Sequence, residues 1–196
     1  MKRDIQQGIR FFRSFLANPR QVGAIWPTSR WAVRDMLGMA NLSQARCVAA
    51  LGAGTGAYTG EILKQLRPDA RLLAFEIDPN LAAVISERYE DPRLRVINDS
   101  VENIENYLDG AKVDVMVSAI PFTSLPKDAK QNIFREIAWA LAPEGVMVQI
   151  QYSTTLQEEF ARRFASVRRR LQPLNIPPAF LFACRGPRLQ EEAPQR

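Results

Sequence analysis

The sequence predicts an α/β domain on an open, mostly parallel sheet, and three observations carry that expectation. Cys47 to Leu51 is a short, uncharged apolar run that reads as a buried strand. It breaks into Gly52-Ala53-Gly54-Thr55-Gly56 and continues into a segment where Ile62, Leu63 and Leu66 recur at helical spacing until Pro68. Arg71 to Ile77 then repeats the apolar run and carries Glu76 at its end, about twenty residues beyond the glycines.

Strand, glycine turn and helix together form the context in which a glycine-rich motif points to a ligand. Glycine admits dihedrals that a Cβ forbids, and it lets a ligand lie on the backbone where a helix begins. The spacing is G-x-G-x-G, not the dinucleotide G-x-G-x-x-G, and no G-x-x-x-x-G-K-[S/T] loop is present. That favours a nucleoside ligand without a pyrophosphate. Glu76 stands where an acid binds ribose hydroxyls.

The remaining elements follow in order. Asp4 to Leu16 predicts a helix with Ile5, Ile9, Phe12 and Leu16 on one stripe, widened by Phe11 and Phe15 and edged by Lys2, Arg3, Arg10 and Arg13. Such a helix either lies in a lipid interface or packs on the domain. Asn18-Pro19 ends it. Val22 to Trp31 leads into a second helix with Thr28 or Ser29 as N-cap and Trp31, Val33, Met36 and Leu37 behind it. Trp26 and Trp31, beside the hydroxyl pair and Arg30, are either a lid over a ligand or core anchors.

Asp78-Pro79 starts a helix carrying Leu81, Val84 and Ile85. A third strand, Leu94 to Ile97, precedes another acid, Asp99, and Val101 to Leu108 reads as a short helix. Val113 to Ile120 is the fourth strand and runs into Pro121-Phe122-Thr123-Ser124-Leu125-Pro126. Ligands of open α/β sheets bind beyond the carboxyl ends of the strands where strand order reverses, so the loop from Ala119 to Phe122 is expected to face the ligand. A helix from Lys127 to Leu141, a fifth strand from Gly145 to Gln151 and Tyr152-Ser153 follow. A helix with an arginine-rich end (Arg162, Arg163 and Arg168 to Arg170) then leads to two last segments, around Arg170 to Leu174 and Ala179 to Cys184.

Composition bounds the function. The 196 residues suffice for one α/β domain, 46% of them are hydrophobic, and no apolar run approaches the roughly 20 residues a membrane span requires. The N-terminal residues show no continuous hydrophobic region and no small-residue cleavage site, so secretion is not expected; Cys47 and Cys184 sit in apolar runs, and free buried thiols in a reducing cytoplasm are expected. The absence of histidine removes imidazole bases and most zinc sites. Residues 1–34 carry seven basic residues against Asp4 alone, a surplus larger than the +5 of the whole chain. A phosphate-bearing partner, nucleic acid or an anionic membrane, is expected at that end.

The glycine turn, Glu76 and Asp99 at three successive strand ends resemble the class I S-adenosylmethionine-dependent methyltransferases over most of the chain. The resemblance implies a Rossmann-like, seven-stranded, mostly parallel sheet with an antiparallel terminal strand. It implies S-adenosylmethionine as cofactor, S-adenosylhomocysteine as product and no metal. The cofactor set carried over is Gly52, Ala53, Gly54, Thr55, Gly56, Glu76, Ile77, Asp99, Ser100, Val101 and Ser118, with Glu76 on the ribose and Asp99 on the adenine amino group. Transfer from a sulfonium is an in-line displacement to which an enzyme contributes proximity, orientation and a dry pocket, so histidine is not required. An amine nucleophile has a pKa near about 10 and must first be neutral. The carbonyls of Ala119 and Ile120 and the Tyr152 hydroxyl are candidates to orient it. The faces of Trp26, Phe122 and Tyr152 either stabilise the growing methylammonium or pack in the core.

Within that superfamily the chain resembles, nearly end to end, the bacterial phospholipid N-methyltransferases that do not span the membrane. The residues that carry this are Phe15-Leu16-Ala17-Asn18-Pro19, Val22-Gly23-Ala24-Ile25-Trp26-Pro27-Thr28-Ser29-Arg30, Ser118-Ala119-Ile120-Pro121-Phe122 with Ser124-Leu125-Pro126, and Asn175-Ile176-Pro177-Pro178-Ala179. The resemblance implies successive methylation of phosphatidylethanolamine to phosphatidylcholine by a monomer on the inner face of the cytoplasmic membrane. It implies a docking helix and lid over residues 1–27, a catalytic domain over 28–185 and a flexible tail over 186–196. Arg10, Phe12 and Arg13 would meet the anionic lipid surface, with Trp26, Ser29 and Arg30 near the phosphatidylethanolamine headgroup and no nucleic-acid partner. Tyr152, Ile120 and Phe122 would attend the reacting amine.

A second resemblance, to the rRNA adenine dimethyltransferases, places Ala119 where those enzymes carry asparagine, and they continue into a helical RNA-binding domain for which this chain has no length. The phospholipid family usually carries an acid where this chain has Ala50. That departure leaves a catalytically inactive cofactor- or membrane-binding relative as a third expectation.

Overall fold

The computed structural model describes residues 28–188. Seven strands, β1 (Cys47–Leu51), β2 (Arg71–Phe75), β3 (Leu94–Ile97), β4 (Val113–Ser118), β5 (Leu141–Gln151), β6 (Phe164–Gln172) and β7 (Ala179–Pro187), form one sheet in the order β3-β2-β1-β4-β5-β7-β6. The first five are mutually parallel, and β7 runs antiparallel between β5 and β6. Among the described residues five α-helices cover the sheet: α1 (Arg30–Leu37), α2 (Ala57–Leu63), α3 (Pro79–Arg88), α4 (Lys127–Ala140) and α5 (Gln157–Arg163).

Strand β1 is central, and all five of its residues are buried. Val48 and Ala50 point into a cluster with Met36 and Leu37 of α1 and Ile62 of α2. Cys47, Ala49 and Leu51 point into a second cluster with Phe134 of α4 and Phe160 of α5. A parallel strand covered on both faces must be apolar at every position, which explains the unbroken run in the sequence.

Several boundaries differ from the sequence expectation for reasons of tertiary pairing. Helix α2 stops at Leu63, where the Arg93 guanidinium donates to the carbonyls of Leu63 (3.0 Å), Leu66 (2.9 Å) and Arg67 (3.3 Å). Strand β5 begins at Leu141, because Leu141 pairs with Val113 of β4. The arginine-rich stretch is not one helix end. Arg162 and Arg163 close α5, whereas Arg168, Arg169 and Arg170 lie on β6, which pairs with β7 from Phe164 to Gln172. β6 is the sheet edge, and charge there disfavours pairing with a further strand. Val101–Tyr107 is 3-10 helix with non-helical dihedrals at Asn103.

In α1, Ser29 is the N-cap, and its hydroxyl accepts from Ala32 N–H at 3.1 Å. The buried stripe is Ala32, Val33, Met36 and Leu37, while Trp31 is 45% exposed under the Arg30 guanidinium, 5.1 Å from the ring centre. Trp31 is therefore not a core anchor. No helix among the described residues is long and apolar enough to cross a membrane. The expected amphipathic helix with Arg10, Phe12 and Arg13, the lid residue Trp26 and most of the tail lie outside the described residues.

A candidate cofactor cleft and amine site

The glycine turn follows β1 at the point where strand order reverses between β1 and β4. Gly52, Gly54 and Gly56 have φ of 69°, 58° and 82°, a region in which L side chains are strained. Gly52 and Ala53 donate their N–H groups to the Phe75 carbonyl at 3.0 and 2.9 Å, which ties the turn to the end of β2. Glu76, the next residue, is 1% exposed. Its Oε2 accepts from Gly54 N–H at 2.7 Å and its Oε1 from Asp78 N–H at 3.0 Å. Burial pushes the Glu76 pKa up, against the lowering effect of these backbone donors.

Asp99 follows β3 and is held by three donors. Oδ1 accepts from Ser100 N–H (2.7 Å) and the Asn103 side chain (2.9 Å), and Oδ2 from the Tyr107 hydroxyl (2.8 Å). That bond to a carboxylate raises the Tyr107 pKa, so the tyrosine remains a donor. Between these elements lies an open cleft, with Gly52, Glu76, Ile77, Asp99, Ser100 and Val101 on one side and Ile120, Leu125 and Ile133 on the other. Carboxylates on one wall and apolar side chains on the other suit a nucleoside bearing a positive charge. The turn fits such a ligand too: a Cβ on Gly54 would meet nothing within 4 Å, so the space over the turn is open. Thr55 is exposed and Ala53 buried. Ser118 is fully buried and accepts from Ile120 N–H at 3.4 Å, shaping the β4 loop from below.

Of the three residues expected at the amine, the structure engages Ile120 and Phe122 elsewhere and leaves Tyr152 accessible. The Ile120 carbonyl accepts from two buried amides, Gln149 Nε2 at 3.1 Å and Gln151 Nε2 at 3.0 Å. With the Phe122 N–H, which donates to the same oxygen at 2.9 Å, three donors already engage its two lone pairs, so it has no capacity left to accept from a substrate amine. Phe122 is a core residue: it is 0% exposed, its ring stacks on Phe134 at 4.4 Å between centres, and it meets Phe160 edge-on at 6.5 Å. It offers no face to a cation. Tyr152 is 42% exposed, and its hydroxyl is hydrogen-bonded to Asn175. Burial of the phenol raises its pKa and keeps it neutral.

Around Tyr152 the fold brings Asn175, named in the sequence only as part of a family motif, and Tyr58 together with Thr28 and Ser29. Asn175, 1% exposed, accepts from Ser29 N–H through Oδ1 at 2.9 Å and donates from Nδ2 to the Pro177 carbonyl at 2.8 Å. The Tyr58 hydroxyl, on α2 directly after the glycine turn, donates to Thr28 Oγ1 at 2.9 Å, and burial raises its pKa. Tyr58 and Tyr152 are near enough to interact electrostatically. The start of α1, the start of α2, the end of β5 and the β6–β7 loop therefore come together around Tyr152. The available signals were weak: glutamines at 149 and 151 share one face of an otherwise apolar strand, and Asn175 stands among prolines. Among the described residues no group of three His, Cys, Asp or Glu side chains is arranged to hold a metal.

An open α/β sheet with a nucleoside cleft at its reversal point and paired carboxylates at successive strand ends defines a class of group-transfer enzyme. The family model described as a methyltransferase domain matches residues 48–145, and the chain belongs to that family. It is a class I S-adenosylmethionine-dependent methyltransferase. The chain is 32% identical over 181 residues to an ornithine lipid N-methyltransferase of Singulisphaera acidiphila, covering 90% of this chain and 94% of that protein. A ribosomal RNA small subunit methyltransferase H of Polynucleobacter necessarius matches at 34% identity over 81 residues, 41% of this chain and 25% of that one. Among solved structures, the N-methyltransferase NodS of Bradyrhizobium japonicum in complex with S-adenosylhomocysteine superposes with a TM-score of 0.66 at 14% identity, over 91% of this chain and 99% of that one. That last likeness speaks to the fold.

Proposed function

We propose that this chain is a lipid N-methyltransferase that methylates phosphatidylethanolamine successively to phosphatidylcholine at the inner surface of the cytoplasmic membrane. The observation that carries the lipid amine is the match to the ornithine lipid N-methyltransferase, which spans 94% of that relative. That relative also favours a second reading, in which the amine belongs to an ornithine-bearing lipid. The rRNA methyltransferase match covers a quarter of its partner and gives no comparable support.

Bound S-adenosylmethionine supplies an electrophilic methyl group. On this reading the Glu76 carboxylate, already fixed by two backbone N–H groups, accepts from ribose hydroxyls with its remaining lone pairs. Asp99, oriented by Ser100, Asn103 and Tyr107, accepts from the adenine amino group. Gly52, Gly54 and Gly56 keep the backbone low enough for the cofactor to lie on it. With the Ile120 carbonyl occupied, the Ala119 carbonyl and the Tyr152 hydroxyl are the groups left to orient the amine lone pair. Tyr152 stays neutral, so it directs the nitrogen by hydrogen bonding and the proton leaves to water. Its exposed ring face adds cation–π attraction for the methylated product. Residues 1–27 dock the chain on anionic lipid, with Ser29 and Arg30 beside the headgroup. Ala50 is buried in β1, so no carboxylate is available there, and the cofactor's amino group relies on other acceptors.

The test is transfer of labelled methyl to vesicles containing phosphatidylethanolamine, to vesicles containing an ornithine lipid and to ribosomal RNA. Stepwise mono-, di- and trimethylated phosphatidylethanolamine is the expected result. Label in the ornithine lipid alone would move the substrate to the second reading, and label in RNA alone would overturn both. Label in none, with cofactor bound, would identify an inactive relative.

A further inference from the structure

The loop between β6 and β7 has its polarity inverted. A loop facing water turns polar side chains outward and keeps apolar ones in. Here Gln172 is 3% exposed and Asn175 is 1% exposed, while Leu174 is 60% and Ile176 is 72% exposed, with Leu171 beside them at 52%. Pro173, Pro177 and Pro178 complete a segment without charge, and all three are exposed.

The buried polar residues explain why this arrangement is held. Gln172 donates to Asp35 Oδ2 at 2.6 Å and accepts from Leu174 N–H at 3.0 Å. Asn175 is bonded to Ser29 N–H, the Pro177 carbonyl and Tyr152. The backbone is thus pinned from inside to α1 and β5, and the side chains left to project are apolar. β7 runs antiparallel to β5, so its first residue lies at the same sheet edge as the end of β5. Leu174 and Ile176 therefore stand at the sheet edge that carries Tyr152.

The surroundings are basic. Arg168, Arg169 and Arg170 precede the loop on β6, and Arg30 and Arg34 lie on α1, all exposed; Arg168 and Arg170 share one face of the strand, where Arg170 pairs at 3.5 Å with Asp35, the acid bonded to the loop, and Arg169 on the other face bonds Gln157. Apolar side chains at the tip of a rigid loop, with cations set behind them, are complementary to a bilayer whose surface is anionic and whose interior is apolar.

We propose that the β6–β7 loop is a membrane-inserting tip, in which Leu174 and Ile176 enter an anionic bilayer beside the amine site while the arginines of β6 and α1 meet lipid phosphates. The inference rests on the lipid reading of the function, and it is separate from the docking role expected of residues 1–27. It gives the amine site a fixed depth: a headgroup amine would reach Tyr152 without the lipid leaving the membrane.

Two measurements on the full chain test it. Cys47 and Cys184 are buried, so Ile176→Cys provides a single accessible thiol for a polarity-sensitive fluorophore. The probe should brighten and shift to the blue with phosphatidylglycerol vesicles and lose that response at high salt. Leu174→Asn combined with Ile176→Asn should weaken flotation with the same vesicles by more than about tenfold, since each side chain removes one buried aliphatic contact. Cofactor affinity and thermal midpoint should be unchanged, because neither side chain is packed in the fold. A silent probe, or a double variant that floats within twofold of the unaltered chain, would overturn the proposal. So would self-association that the double variant abolishes without any vesicle signal, which would make the patch an interface between copies. Methyl transfer to lipid by the unaltered chain is read in parallel. Transfer with unchanged flotation of the variant defeats the loop proposal alone, and lost flotation without any lipid methylation supports the loop and defeats the function.

Discussion

Replacing Glu76 by glutamine separates the binding role of this carboxylate from its structural one. In the folded chain the two oxygens accept from Gly54 N–H at 2.7 Å and Asp78 N–H at 3.0 Å. Glutamine keeps one oxygen and so one of these bonds; its amide nitrogen faces the other N–H and forfeits a charge-assisted bond of about 1.5–3 kcal/mol. Against that loss, the desolvation that raises the Glu76 pKa vanishes with the charge. The two effects oppose each other, so the stability of the ligand-free variant should change by about 1 kcal/mol or less. Cofactor binding has no such offset. A ribose hydroxyl that donates to a carboxylate loses a bond of about 1.5–3 kcal/mol, which corresponds to about a 10- to 150-fold rise in Kd. Titration calorimetry with S-adenosylmethionine, paired with urea denaturation, reads both numbers. A Kd within threefold of the original, in a variant that unfolds cooperatively at the original midpoint, would refute the ribose assignment.

Three further expectations follow from the same geometry. The Glu76 pKa is raised above 4.5 in the folded chain, so its contribution to stability is present below 4.5 and lost as pH rises through the folded value; cofactor binding requires the ionised form, so affinity should fall as pH is lowered through that value, and Glu76→Gln should flatten the dependence measured by calorimetry. Phe122→Leu should cost about 1 kcal/mol in urea denaturation and leave KM for lipid within twofold, because the ring packs on Phe134; a large rise in KM at unchanged stability would return Phe122 to the substrate site. Gly60→Ala should destabilise by about 1–3 kcal/mol despite the helix preference of alanine, because a Cβ there lies 2.8 Å from the Tyr89 hydroxyl, which bonds the Gly56 carbonyl at 3.0 Å; adding Tyr89→Leu should recover most of the loss, and a Gly60→Ala protein as stable as the original would show that the ring moves freely.

The parts of the site that were legible in the sequence are those with local causes. A parallel strand covered on both faces has to be apolar throughout, a strand-to-helix turn that passes through positive φ has to use glycine, and an acid at a strand end is positioned by the strand itself. Those rules placed Gly52, Gly54, Gly56, Glu76 and Asp99 correctly along one sheet edge. The N-cap was readable to within two hydroxyls, Thr28 or Ser29, for the same reason; the structure selects Ser29, whose hydroxyl serves an N–H three residues away. Residues 168–170 were misassigned because an arginine run has no periodicity of its own. Its conformation comes from pairing with β7.

What the sequence determined by itself was the order of strands and helices, the sheet edge at which the glycine turn and the two acids stand, and the membership of a methyltransferase family, because each depends on spacing within a few residues or on motifs carried intact. The tertiary structure alone decided the surroundings of the residues proposed to meet the substrate. Ser29 and Asn175 are 146 residues apart and meet only because α1 packs over β5 and β7. The Ile120 carbonyl is engaged because two glutamines of a neighbouring strand reach it beside the local Phe122 N–H. Phe122 turned into the core because α4 and α5 offered rings to receive it, and Leu174 and Ile176 turned outward because their polar neighbours found partners within. A side chain's facing is set by competition among all the surfaces within reach, and those surfaces exist only once the chain has folded.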